Sequence, residues 1–420
     1  MKTYEMREVM RSFRTILPCL ASISLFVGCS DSVTDESGGK ETGPLYVITA
    51  LHFSPDLSSR TDVLQFSDSL NADAKIDKTK TIELTGLNPT TWASYKEGEF
   101  FLADASGKVL RYALDDNGKL QQTQTMSLSA YGVNAFYNAM IIVWSETKAF
   151  LFDEITLQGF IWNPSEMTIT RKMDLKSLFN TSEGGRTFSP WRERSQHKIG
   201  NKYFGTYIYF DKGPSETIQR SGMMVFDSDS ETLTTVEQDK CPGIFNSVIG
   251  TDGKFYSATG TNAAAGYYLK HPGIGAPCLV RFDPDKMAFD DTFNVDIGSL
   301  VGGKIGAMLL RMDGQAAAYI RVLNVDLVAS VTKSVVPIAT FSAWDHYKLD
   351  SLIDPKTATK VDSMPTSAGG PTTSFTVDGK AYVMEGSFKD NKSWFLDLSA
   401  DPPKRTMEIP GYGTYCLRIR

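Results

Sequence analysis

Gly413-Thr414-Tyr415-Cys416-Leu417-Arg418-Ile419-Arg420 are the last eight residues of the sequence, and their reading decides the fold. They alternate small or polar with bulky residues, as a half-buried strand does. No strand partner precedes or follows them nearby. At the other end, Leu45 to Gly86 forms a unit with three strand-like runs, Leu45–Phe53, Asp62–Leu70 and Thr81–Leu84. Three strands in the first unit and one left over at the end fit a ring in which the last strand completes the first unit.

Between these ends the chain repeats one pattern. An apolar segment is followed by a strand near a Gly-Lys or equivalent turn, then by a third strand ending in Asp or Asn, then by a fourth. Second strands include Gly98-Glu99-Phe100-Phe101-Leu102-Ala103, Lys148-Ala149-Phe150-Leu151-Phe152 and Lys380-Ala381-Tyr382-Val383. Third strands include Val109-Leu110-Arg111-Tyr112-Ala113-Leu114, Cys278-Leu279-Val280-Arg281-Phe282-Asp283 and Trp394-Phe395-Leu396-Asp397. Aromatic and β-branched runs bounded by Gly, Asp and Asn are strand and hairpin signals. A four-stranded repeat of about 40–60 residues is a propeller blade. The expected fold is all-β, a seven-bladed β-propeller over residues 44–420 closed by the C-terminal strand. Blades 2 to 7 are expected to begin near Asn88, Val133, Arg186, Gly243, Lys304 and Pro371. A pair of β-sandwiches is the rival, and it leaves the three-plus-one arithmetic unexplained.

The N-terminal segment reads as a targeting signal. Arg11 and Arg14 precede the apolar run from Ile16 to Val27, too short to span a bilayer and suited to a secretory leader. The run ends Leu25-Phe26-Val27-Gly28-Cys29, which resembles a lipobox. Residues 1–28 are therefore expected to be a lipoprotein signal peptide and Cys29 the lipidated residue, with 29–43, polar and Gly/Ser-rich, as a flexible tether. The expected location is the outer membrane, lipid-anchored and exposed at the cell surface. Of the thiols beyond Cys29, Cys241, Cys278 and Cys416 are odd in number and match no zinc spacing; buried free thiols are favoured, and one bridge among the three is left open.

The whole chain carries 43 Lys/Arg and 49 Asp/Glu. The first 28 residues hold four basic and two acidic residues, so the chain from Cys29 has 39 and 47, net −8. That balance disfavours nucleic acid as a partner. Catalytic motifs are scarce. His52, His197, His271 and His346 show no metal-ligand spacing, and there is no HExxH, no Gly-x-Ser-x-Gly and no phosphate-binding Gly loop. The chain is expected to be no enzyme, with no intrinsic cofactor, no metal and no catalytic residue.

Ligand-binding signals lie in enlarged loops and in one basic stretch. From Arg186 to Arg220 seven basic residues face three acidic ones. The core of that stretch is Arg186-Thr187-Phe188-Ser189-Pro190-Trp191-Arg192-Glu193-Arg194, at the expected start of the innermost strand of blade 4. Alternation directs Trp191 to one side and Arg192 and Arg194 to the other. Arginine beside aromatic rings suits a flat, delocalised anion. Blade 4 adds a loop with Lys212. Blade 5 adds Gly260 to Pro277 with Tyr268, Lys270 and His271, and blade 6 adds Asn324 to Tyr347 with Trp344. Other innermost-strand starts offer Trp92, Tyr137, Asn138, Phe245, Asn246 and Arg311, and Arg321 requires a partner if buried. The candidate ligand-binding set is Arg186, Trp191, Arg192, Arg194, Lys212, Tyr268, Lys270, His271, Arg311 and Trp344.

With its lipobox, short linker and seven-fold repeat, including Leu45-Tyr46-Val47-Ile48-Thr49-Ala50, the chain from Cys29 onward resembles a family of siderophore-associated β-propeller lipoproteins. Members include a lipoprotein encoded with myxochelin biosynthesis and a surface lipoprotein of xenosiderophore utilisation that captures ferric enterobactin. The resemblance implies binding of a ferric siderophore and transfer to a TonB-dependent outer-membrane transporter. It fixes no binding residue. A propeller hydrolase, such as a lactonase or siderophore esterase, and a glycan- or protein-binding scaffold are the alternatives.

Overall fold

The computed structural model describes residues 43–54, 59–84, 89–183, 185–193, 196–211, 216–310, 313–315, 318–328, 334–370, 373–387, 390–401 and 403–420. The leader, Cys29, Arg194, Lys212 and Arg311 lie outside the described residues.

Seven antiparallel sheets follow one another around a ring. Blade 1 pairs Tyr412–Arg418, innermost, with Tyr46–Phe53, Arg60–Ser67 and Ile82–Glu83. Blades 2 and 3 are Pro89–Ala93 through Leu120–Ser127 and Met140–Ser145 through Thr168–Asp174. In blade 4 the innermost position is shared by Arg186–Arg192 and His197–Ile199, both paired with Lys202–Asp211. Blades 5, 6 and 7 begin with Ile244–Ile249, Gly306–Leu310 and Thr373–Val377. These starts match the sequence reading within two residues except in blade 3, where Met140 rather than Val133 opens the strand. Val133, Phe136 and Ala139 are buried, which gave the segment its strand-like look, but it runs unpaired beneath the ring surface.

The closure is the expected one. Ile48 opposes Cys416 and Val47 opposes Leu417, with a bulge where Thr49 and Ala50 face Tyr415 and Gly413. Past the ladder, Leu45 N–H donates to Arg420 O at 3.0 Å and Ile419 N–H to Leu45 O at 2.9 Å. No strand edge is left at the seam. Gly413 lets the closing strand approach blade 7 closely, since a Cβ there would displace Met384 and Ile409.

Each of the seven blade interfaces has its own apolar cluster. Phe101, Ile141 and Trp162 join blades 2 and 3, and Phe150, Tyr207 and Phe226 join 3 and 4. Phe204, Phe255 and Phe282 join 4 and 5, while Tyr46, Met384 and Phe395 lock 7 onto 1. Blade faces are thus apolar on both sides, the condition for a stacked ring. Cys241 and Cys278 form a disulfide with Cα atoms 5.5 Å apart, and Cys416 is free and buried. Of the two readings the sequence left open, the single bridge is the one formed, in place of the favoured free thiols. The two cysteines, 37 residues apart in sequence, are brought together by the turn into blade 5 and that blade's third strand. Among the described residues no helix is long and apolar enough to cross a membrane.

Candidate functional site

The innermost strands surround a central channel, and Arg192 crosses it. Leaving blade 4, its Nη2 donates to Thr91 Oγ1 of blade 2 at 3.0 Å and to Ala139 O before blade 3; Nη1 donates to Glu193 O at 2.6 Å. Asn138 Nδ2 donates back to Arg192 O at 2.5 Å. Arg192 is 1% exposed. It therefore braces three blades and presents no guanidinium to a ligand, which corrects its expected role. Glu193 lies beside it, its Oε2 accepting from Thr206 Oγ1, Ser247 N and Ser247 Oγ, each at 3.0 Å.

At the upper end, where second strands join third strands, Glu154 is buried under the start of blade 3. Its Oε1 accepts from Tyr137 N at 2.8 Å and Asn138 N at 2.5 Å, while Oε2 has no partner among the described residues. Burial pushes this carboxyl up to about 7, only partly opposed by the backbone N–H groups it accepts from.

The remaining expected residues divide. Arg186 is on the rim of blade 4, where Asp211 at 2.7 Å and Glu216 at 2.9 Å neutralise it. Trp191 points away from Arg192, as alternation required, and meets the Phe210 ring edge-on at 4.9 Å. Trp344 is fully buried with Nε1 donating to Ile338 O at 3.0 Å, so it is a core residue of the blade 6 insertion. Its helix, Val335–Thr340, and the strand carrying it fold back on each other, which a loop reading could not show. Arg321 finds its partner in Glu385, 3.4 Å away across blades 6 and 7, and His346 Nε2 lies 2.7 Å from the same carboxylate. Burial pushes Glu385 up, but His346 and Arg321 outweigh it and hold it below the usual carboxylate range. This carboxylate–histidine pair is sealed between blades, away from solvent.

Tyr268, Lys270 and His271 do come together. The helix Thr261–Tyr268 buries Ala264 and Ala265 against blade 6 and its insertion. The chain then reverses through Lys270 in the left-handed region, with His271 N–H donating to Gly266 O at 2.9 Å. Tyr267, Tyr268, Lys270, His271, Ile274 and Ile305 line a cavity of about 450 Å3. A second cavity of about 300 Å3 shares Tyr267 and Ile305 and adds Lys304. Lys304 Nζ donates to Tyr347 Oη at 2.9 Å. The one acid in that lining, Asp296, is engaged in accepting from Gly298 N at 2.9 Å. The result is an aromatic groove with two ammonium groups and an imidazole on its walls. Sequence reasoning missed Tyr267 and Lys304 as lining residues; Lys304 followed Gly302-Gly303 and passed for a blade start.

No family matches the chain, and no curated protein matches it. Solved structures do. A candidate 6-phosphogluconolactonase from Bacteroides fragilis is 11% identical, with 93% of this chain and 100% of that one covered at a TM-score of 0.50. Apo AztD from Citrobacter koseri is 14% identical over 89% and 98% of the two chains, TM-score 0.39. Dihydro-heme d1 dehydrogenase NirN is 8% identical over 90% and 75%, TM-score 0.44. The likeness is one of fold, and it corrects one expectation. A protein named as a candidate lactonase is built on this scaffold, so the expectation that the chain is no enzyme, which rested on missing motifs, is withdrawn. The chain is a seven-bladed β-propeller closed by its C-terminal strand.

Proposed function

We propose that this chain is a lipid-anchored capture protein of the outer membrane, exposed at the cell surface, that binds a ferric catecholate siderophore and passes it to a TonB-dependent transporter. The observation that carries the reading is the blade 5–6 groove, where Tyr267 and Tyr268 stand beside Lys270, His271 and Lys304. A ferric tris-catecholate presents flat aromatic rings and several negative charges. Tyrosine faces stack on such rings, and ammonium groups add charge-assisted hydrogen bonds and long-range attraction. The iron is already held by six catecholate oxygens, so the protein need offer no metal ligand.

The anchor and the groove suit each other in position. Gly43 lies at the end of the ring where Arg420 Nε donates to its carbonyl at 2.7 Å, and the groove loops are at the opposite end. A tether joining at that end leaves the groove end of the ring clear of the attachment point. The Cys241–Cys278 disulfide favours an oxidising compartment, in keeping with a secretory leader.

Titration of the protein with ferric enterobactin, followed by tryptophan fluorescence and by melting temperature, tests the reading. Lys270→Ala with Lys304→Ala is expected to weaken binding at least about tenfold, the size of one charge-assisted hydrogen bond. Absence of binding at micromolar ligand, or an unchanged Kd in the double variant, defeats it. Mass spectrometry of the recovered ligand separates capture from hydrolysis.

A further inference from the structure

At the opposite end of the channel from the groove lies a separate cavity, of about 210 Å3. Four blades build it. Tyr415 and Leu417 come from the closing strand, Trp92 from blade 2, Val143 from blade 3, and Gln196 and Tyr203 from blade 4. Arg192, bonded to Thr91 and Ala139 just above Trp92 and Met140, lies between this cup and the far mouth. Most of the lining residues are apolar or aromatic, but the cup is open to solvent and Ser94, Gln196 and the tyrosine hydroxyls give it a polar share as well. The Trp92 and Tyr415 rings are nearly parallel, 11° apart with centroids at 6.0 Å, and both tyrosines are only half-buried. Two polar side chains are held in place: Ser94 Oγ donates to Glu99 O at 2.8 Å, and Gln196 Nε2 donates to Ile141 O at 3.3 Å, leaving Gln196 Oε1 with no partner among the described residues.

We propose that this cup is a second ligand site, taking one small aromatic ring of low charge that carries a single hydrogen-bond donor, as a phenol does. An apolar cavity of about 150 Å3 already accepts a benzene-sized ring. Aromatic and aliphatic walls with a few fixed polar groups are the usual composition of a small-molecule pocket. The amide oxygen of Gln196 would accept the donor, while the Tyr203 and Tyr415 rings would cover the faces. The Lys198 ammonium, 5.4 Å from the Tyr203 ring centroid, sets that ring at the rim. The site is independent of the groove and of what the groove binds.

The test is ligand-observed saturation-transfer NMR on the full chain with phenol and toluene as probes. Phenol is expected to saturate with Kd on the order of 1 mM, the range reached by seven heavy atoms, and to bind more tightly than toluene. Leu417→Trp, which fills the cup, should abolish saturation there. Gln196→Met should remove the preference for phenol over toluene, and it decides the matter if Leu417→Trp does not fold. Lys270→Ala lowers only such phenol signal as the groove holds, and the part of the signal that Leu417→Trp removes should be the same in the Lys270→Ala background. Failure of phenol to saturate by about 20 mM, well beyond that range, overturns the site. So does binding by folded Leu417→Trp and Gln196→Met with wild-type affinity and preference.

Discussion

Arg192 Nη2 of blade 4 donates to Thr91 Oγ1 of blade 2 at 3.0 Å, past the intervening blade 3, whose leading Ala139 carbonyl accepts from the same nitrogen. A ring of blades held mainly by neighbour-to-neighbour apolar contact thus also has polar struts reaching beyond the nearest neighbour, this one and His197 Nδ1 of blade 4, which lies 3.3 Å from Asp313 of blade 6. Such a strut is buried, directional and costly to break, because its acceptors lose their donor without gaining water.

Arg192→Ala is accordingly expected to destabilise the fold by about 2–4 kcal/mol, read as a lower urea midpoint at constant slope. Ligand affinity in the blade 5–6 groove should be unchanged in the fraction that is folded. Wild-type stability combined with tenfold weaker ligand binding would restore Arg192 to a binding surface and refute the strut.

Glu154 makes stability depend on pH in a defined direction. Its carboxyl is pushed from 4.5 to about 7 by burial, so between those values the folded chain holds a proton that the unfolded chain has lost. Stability is fully present below the unfolded value and declines as pH rises through the folded one, by about 3 kcal/mol in all. Asp62 and Asp153, also raised by burial, act in the same sense. Calorimetric melting between pH 5 and pH 8 should show a falling melting temperature, with a shallower fall in Glu154→Gln. Parallel curves for the two proteins would contradict this.

The three cysteines of the propeller should separate chemically. Cys416 is fully buried and burial pushes its thiol far up, so alkylation should reach it only after unfolding. Cys241 and Cys278 should be alkylated only after reduction. Reduction should cost about 2–4 kcal/mol of stability. Peptide mapping that finds Cys241 or Cys278 modified in the native, unreduced chain would contradict the pairing.

Strand pattern, turn residues and the surplus strand at Gly413–Arg420 determined the ring, the seven blades and the means of closure. A period of two and the three-plus-one count are local properties, and local properties can be read from residues in order. The same period placed Trp191 and Arg192 on opposite sides of their strand. It could not say that one side faces a channel already occupied by Thr91 and Ala139, nor that Asp211 and Glu216 would reach Arg186 from the neighbouring strands. Only the assembled ring decided that Cys241 meets Cys278, that Trp344 is sealed under its own insertion, and that Lys304 joins Tyr267 and Lys270 around one groove. Those relationships join residues from different strands, insertions and blades. Their distances are set by how apolar faces stack around a closed circle, which no window of sequence contains.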